Sequence, residues 1–201
     1  MRVYSHFCDN GQVNSYLVTL GEEGCKALVI DPADLDETLI RIIEGHRYEI
    51  AGILVTHDHE NHVRGLGKYQ KIYPCPVYAY RSSIMGLETR RLDEEQDLDI
   101  EGMRVGVMRV VGHSDDSLVY VIGNAIFTGD TLAAGRVSST TSMSRKATLI
   151  AGIRSRLMCL DDNMLVFPGH GCPTKIRIEK MFNHDLLESA DWDNLNQKAR
   201  V

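Results

Sequence analysis

Thr56-His57-Asp58-His59-Glu60-Asn61-His62 places three histidines among acidic and amide side chains within seven positions. The run Ile50-Ala51-Gly52-Ile53-Leu54-Val55 precedes it and reads as a buried strand. Val63-Arg64-Gly65-Leu66-Gly67 follows and reads as the start of a helix or loop. Residues two apart on a helix are separated by roughly 200° of rotation, so His57 and His59 cannot share a helical face. In an extended segment they point the same way. His59 and His62, three apart, meet only where the chain begins to coil. The stretch therefore predicts a strand-to-helix loop folded around something. Imidazole is the commonest metal ligand, and the end of a strand is a rigid place to present one.

Outward from this stretch, other strand-like runs end in the same way. Val55 leads into His57, Val111 into His113, Phe127 into Asp130 and Phe167 into His170. Glycine accompanies the last three, as Gly112-His113, Gly129-Asp130 and Gly169-His170. In an α/β sheet, loops at one edge converge on a common site. Glycine permits the sharp turns and close backbone approach that a crowded cation site needs.

The remaining elements follow from pattern. Val13 to Leu20 and Lys26 to Ile30 form a hairpin about Gly21-Glu22-Glu23-Gly24. Asp31-Pro32 stops the second strand. Asp34 is the expected cap of a helix carrying Leu35, Leu39, Ile42 and Ile43 on one face and ending at Gly45. A second helix is expected from Val63 toward Lys71, and Val77 to Tyr80 is a short strand. Residues 81–101, with the acidic run Asp93-Glu94-Glu95-Gln96-Asp97, read as a solvated loop or helix face. Met103 to Val111 is a strand, and Leu118–Ile122 and Ala125–Phe127 form a hairpin about Gly123-Asn124. Val137 to Ser144 reads as a loop and Lys146 to Leu160 as a helix. Met164 to Phe167 is a last strand, and helix is expected from Lys175 through Leu186-Leu187 toward Trp192.

The chain has 201 residues, enough for one domain with a substantial core, and no linker composition divides it, so residues 1–201 are read as a single domain. It is 43% hydrophobic and 25% charged, with a net charge of −6, which excludes a disordered or membrane-embedded class and disfavours extended nucleic-acid binding. Met1 to Phe7 lacks a long apolar core, so no secretory signal is expected. The five cysteines are scattered and never spaced Cys-x-x-Cys, which argues against a disulfide framework or a thiolate zinc knot and fits a reducing cytoplasm. Cys172, in the His170 loop, reads as a small apolar filler.

Thr56-His57-x-His59-x-x-His62, Gly112-His113-Ser114, Phe127-Thr128-Gly129-Asp130-Thr131 and Phe167-Pro168-Gly169-His170-Gly171 resemble, in order, the motifs of the metallo-β-lactamase fold superfamily. Within it they are most similar to glyoxalase II-like hydrolases. Pro173-Thr174-Lys175-Ile176, Glu179-Lys180 and Asn183 extend the likeness, which runs from Val13 to Asp185. The resemblance implies an α/β fold, a four-layer αββα sandwich with its site at one edge of two sheets. It also implies roles. His57, His59 and His113 would hold one metal, Asp130 would bridge to a second, and His62 and His170 would help hold that second ion. The family's Asp before His62 is here Asn61. A neutral amide oxygen is a poorer ligand for zinc than a carboxylate, so the second position is expected to fill more weakly. Asp58 and Glu60 alternate away from the ligand face and are not expected to substitute.

The implied activity is metal-dependent hydrolysis, with zinc the first expectation and iron or manganese the alternatives. Asp130 would hold the metal and orient water, and Ser114 is a turn residue. Members of the group that hydrolyse glutathione thioesters carry a further C-terminal helical region. Only about thirty residues follow His170 here, so the expected substrate is a small thioester, ester or lactone. No nucleic-acid or membrane partner is expected. Two other readings stand beside this one: a mononuclear iron persulfide dioxygenase using His57, His113 and Asp130, and a non-catalytic metal-binding module of the same fold.

Overall fold

A computed structural model describes residues 1–94 and 96–188. The elements in chain order are β1 (Arg2–Cys8), β2 (Val13–Thr19), β3 (Lys26–Ile30), α1 (Glu37–Gly45), β4 (Glu49–Leu54), α2 (Glu60–Val63), α3 (Leu66–Ile72) and β5 (Val77–Ala79). Next come β6 (Ser83–Ile84), β7 (Leu87–Glu88), β8 (Arg90–Arg91), β9 (Gln96–Ile100), β10 (Met103–Arg109), β11 (Leu118–Ile122) and β12 (Ala125–Gly129). The last are β13 (Leu132–Ala133), β14 (Arg136–Val137), α4 (Met143–Gly152), a π turn (Ile153–Leu157), β15 (Leu165–Pro168), β16 (Thr174–Lys175) and α5 (Ile176–Phe182).

Two six-stranded sheets, ordered β1-β2-β3-β4-β5-β8 and β16-β15-β12-β11-β10-β9, carry the fold. Alternate residues along each strand face opposite sides, so each sheet has two apolar faces to bury. The facing sides meet through Tyr16, Leu28 and Leu54 of the first sheet and Val105, Tyr120 and Phe127 of the second. Leu17, Val29 and Ile53 turn outward and pack under Leu39 and Ile43 of α1 and Leu66 and Tyr69 of α3. Val119, Ile126 and Val166 turn outward on the second sheet, under Leu149, Ile153 and Ile176 of the C-terminal helices. Those three layers of contact make the chain a four-layer αββα sandwich of the metallo-β-lactamase fold, as its motifs imply.

Both expected hairpins form, with Thr19 opposite Ala27 and Ile122 opposite Ala125. Some expectations need correction. The helix cap before α1 is Asp36, whose carboxylate accepts from Leu39 N; that of Asp34 accepts from its neighbour Leu35 N instead. The helix expected over 63–71 starts at Glu60 and breaks into α2 and α3 where Gly65 N donates to Pro32 O. The expected 146–160 helix begins earlier, capped by Ser142 whose hydroxyl accepts from Arg145 N, and closes in the π turn. The 137–144 loop is correspondingly shorter.

Residues 81–101 hold four strands, β6 to β9, rather than a loop or helix face. In Gln96-Asp97-Leu98-Asp99-Ile100, Leu98 and Ile100 reach the inter-sheet core and the aspartates face out, a strand alternation hidden under the charge count. β1, whose pairing with β2 runs from Arg2–Thr19 to Cys8–Val13, was not expected. Trp192 and Glu95 lie outside the described residues. No helix among the described residues is long and apolar enough to cross a membrane.

Candidate metal centre

The site sits at one edge of the sandwich, where loops after β4, β10, β12 and β15 come together. Cross-sheet hydrogen bonds fix these loops. Tyr120 OH donates to Val55 O at 2.7 Å and Leu118 N to Thr56 O at 2.8 Å, tying the His57 segment to the second sheet. Tyr16 OH and Asn14 Nδ2 donate to Pro168 O at 2.6 and 3.0 Å, tying the His170 turn to the first.

His59 lies on extended backbone with its ring centroid 4.4 Å from that of His57, and the single turn of α2 then swings His62 back beside His57, with ring centroids 4.2 Å apart. His59 Nδ1 lies 2.9 Å from His57 Nε2 and 3.2 Å from His113 Nε2. Asp130 Oδ2 is 3.9, 3.6 and 3.6 Å from Nε2 of His57, His113 and His170, and Asp130 Oδ1 is 3.4 Å from His62 Nε2. Two donor groups result, His57/His59/His113/Asp130 and His62/Asp130/His170, sharing Asp130, with the donor atoms of each within 4.8 Å of one another. Asn61 lies beside the second group, Nδ2 3.3 Å from His170 Nε2. All seven residues singled out in the sequence are thus brought together. Asp58 and Glu60 are not: they lie 3.5 Å from Arg81 and Arg64.

The outward ring nitrogens are tied down. His113 Nδ1 donates to Ser139 O at 2.9 Å and His170 Nδ1 to Gln12 O at 2.6 Å; a carbonyl only accepts, so both rings turn an Nε2 lone pair inward. Asp31 controls two more rings. Its carboxylate accepts from Thr56 N (2.7 Å), Thr56 Oγ1 (2.8 Å) and His62 Nδ1 (2.9 Å). Thr56 Oγ1, its proton committed to Asp31, accepts from His57 Nδ1 at 3.0 Å. Partners of this kind orient metal-binding imidazoles and raise their basicity.

Packing is close enough to need glycine at two points. A Cβ on Gly129, at φ +48°, would fall 2.3 Å from Thr56 Oγ1. One on Gly169 would fall 2.6 Å from both Asp130 Oδ1 and His62 Cε1.

The electrostatics suit a cation. Burial, and then the neighbouring His62, push the His57 imidazole down to about 3, so its ring is neutral. Burial would raise the Asp130 carboxyl, but His62, His57 and His170 outweigh it and hold Asp130 well below the usual range. Burial would likewise depress His62, yet Asp31 and Asp130 lift it to about 9. His62 Nε2 and Asp130 Oδ1 are buried and make no hydrogen bond. A buried carboxylate oxygen without a hydrogen-bond partner is costly, and a cation held close by offsets that cost. A neutral His57 ring beside a permanent carboxylate, with inward-facing donor atoms on the other rings, fits a metal ion.

Sequence reading missed Asp31, whose only signal was its place at a strand end. It also missed Asp116, 4% exposed, whose carboxylate accepts from Asp58 N at 3.1 Å, from Arg81 Nε at 2.7 Å and from the Ser114 hydroxyl, joining the His57 and His113 loops. Ser114 is accordingly a turn residue. Cys172 is exposed, not the buried filler expected, and all five cysteines are free.

Residues 8–174 match the metallo-beta-lactamase superfamily. The chain belongs to that superfamily. Among curated relatives it is 30% identical over 182 residues to a hydroxyacylglutathione hydrolase of Xylella fastidiosa, covering 83% of this chain and 68% of that one. Among solved structures it superposes on the B3 metallo-beta-lactamase BLEG-1 with a TM-score of 0.82 at 24% identity, covering 92% and 99% of the two chains. A second structure, TTHA1623 in a di-iron-bound form, gives 0.75 at 26% identity, covering 90% and 98%. Membership in the superfamily and the His/Asp cluster together support metal use.

Beside Asp130 and His170 a cavity of about 760 Å³ opens, walled by Ser138 to Ser142, Arg136 and Lys146. Lys146 Nζ pairs with Asp185 at 2.5 Å, and Asp185 also accepts from Val137 N. The β13–β14 hairpin that carries Arg136 is held from below by the fully buried Glu179. Its carboxylate accepts from Gly135 N (3.0 Å), Thr174 Oγ1 (2.9 Å) and Asn183 Nδ2 (2.7 Å).

Proposed function

We propose that the chain is a metal-dependent hydrolase acting on a small, polar thioester, ester or lactone. The observation that carries the reading is the convergence of His57, His59, His113 and Asp130 with His62 and His170, most of them locked by a fixed partner on the outer ring nitrogen. Zinc suits an imidazole-rich set, with iron and manganese as alternatives.

His57 Nε2, His59 Nδ1, His113 Nε2 and Asp130 Oδ2 would hold the ion. A dication there supplies a nucleophilic hydroxide at neutral pH and polarises a carbonyl oxygen. The protein's own part is orientation. Asp130, held ionised, only accepts hydrogen bonds and so fixes the direction of a water's proton. The cavity wall from Ser138 to Ser142 offers hydroxyl and peptide groups to a polar substrate. Arg136, for which no carboxylate partner is found among the described residues, lines the same wall and suits a substrate bearing an anionic group. The Xylella relative's name, hydroxyacylglutathione hydrolase, supports thioester chemistry.

The test uses protein stripped by chelator and reloaded separately with zinc, iron or manganese. Small acyl thioesters, lactones and a phosphodiester are then offered. Metal-restored turnover of a thioester, ester or lactone is expected. Oxygen uptake with glutathione persulfide by the iron form, without hydrolysis, would replace the reading with a dioxygenase. No turnover of anything by fully loaded protein would leave a binding module.

A further inference from the structure

The two donor groups that share Asp130 differ in completeness. The first has four donor residues; the second has three, and it must share the carboxylate of the first. The residue that approaches the second is Asn61, and its amide engages one of those three. His170 Nδ1 donates to Gln12 O, which leaves a lone pair on Nε2. Asn61 lies 3.3 Å from that lone pair, and only its NH2 can satisfy it. The amide orientation follows from the hydrogen-bond network, and it turns the carbonyl oxygen away from His170.

The same turn fixes both partners. Gln12 supplies the carbonyl that sets the His170 ring, and a Cβ on the adjacent Gly11 would sit 3.0 Å from Asn61 Cβ, so Asn61 is packed against that turn. A cation at the second position would have to take a lone pair that Asn61 already occupies. Even after the amide turned over, it would gain only a neutral oxygen.

We infer that the chain holds one cation, at His57, His59, His113 and Asp130, and that His170, held by Asn61 and Gln12, is part of the wall of the substrate cavity instead of a ligand. This inference rests on the metal-dependent reading above. In it, His62 stands 3.4 Å from Asp130 Oδ1 as a neighbour of the ligand and not as a ligand itself, and His170 faces the substrate cavity.

Metal per chain, measured by elemental analysis after dialysis against zinc-free buffer, tests it. One zinc per chain is expected in the wild type, and still one in His170→Ala, because His170 is no ligand. Asn61→Asp is expected to hold two. Two zinc ions in the wild type, a lower count in His170→Ala, or a count that stays at one in Asn61→Asp would each overturn the inference. No zinc in the wild type would instead remove the metal-centre reading itself, so the two failures are distinct. Should Asn61→Asp fail to fold, the ring nitrogens of His170 in the zinc-loaded wild type are read by NMR. An Nε2 signal unmoved by loading supports the inference, and a metal-induced shift overturns it.

Discussion

Asparagine in place of Asp31 would test the ordering of the site from behind. Asp31 is 2% exposed and adopts φ +51°, a conformation asparagine tolerates, so the exchange leaves the backbone alone and changes only the chemistry of one atom. The carboxylate accepts three hydrogen bonds, one on Oδ1 and two on Oδ2. An amide has one accepting end. With its oxygen toward His62, its NH2 opposes Thr56 N–H; with its oxygen toward Thr56 N, its NH2 opposes the His62 Nδ1 proton. Either way one charge-assisted bond is lost, about 1.5–3 kcal/mol, and one buried donor is orphaned, about 1–3 kcal/mol. Asp31→Asn should therefore destabilise the metal-stripped protein by about 3–5 kcal/mol in urea unfolding. Because Asp31 sets the ring of the ligand His57 through Thr56, metal affinity should fall by roughly 10–100-fold in a chelator competition. A change under about 0.5 kcal/mol with unchanged affinity would refute the orienting role.

Further outcomes follow from the same geometry. Gly169→Ala drives a methyl to 2.6 Å from Asp130 Oδ1 and His62 Cε1, so it should cost about 1–3 kcal/mol and release metal, read by thermal unfolding and elemental analysis. Glu179→Gln turns an NH2 toward one of three donors, one buried and two part-buried, costing roughly 1–3 kcal/mol, yet should leave metal content intact while raising KM through the Arg136 hairpin. In metal-stripped protein, His62, lifted from 6.5 to about 9, contributes stability below pH 6.5 that is lost as pH rises through 9. That loss is at most about 3 kcal/mol. His57, depressed to about 3, contributes stability above pH 6.5 that is lost as pH falls toward 3. The urea midpoint should thus peak near pH 6.5; a profile flat from 6.5 to 9 contradicts the His62 environment.

What could be read in the residues, and what could not, divides along physical lines. The ligand loops were legible because each follows an apolar run and ends in His or Asp, so local pattern alone places the side chain at a sheet edge. Asp31 was not, because its role depends on residues 25 and 31 positions further along and on a positive φ that sequence does not display. β9 was obscured because its aspartates dominate the charge count while Leu98 and Ile100 alone carry the strand signal. The break between α2 and α3 depends on Gly65 reaching Pro32, a tertiary contact. The Asn61 amide stood out as a departure from the family's motif, but its engagement with His170 needed coordinates.

An anomalous difference map from crystals grown with zinc, collected at the zinc edge, tests the account at its root. A peak bound by His57 Nε2, His59 Nδ1, His113 Nε2 and Asp130 at the usual zinc distances of about 2.0–2.2 Å is the predicted result. A map with no peak at that edge of the sandwich, or with zinc held by other residues, would contradict it.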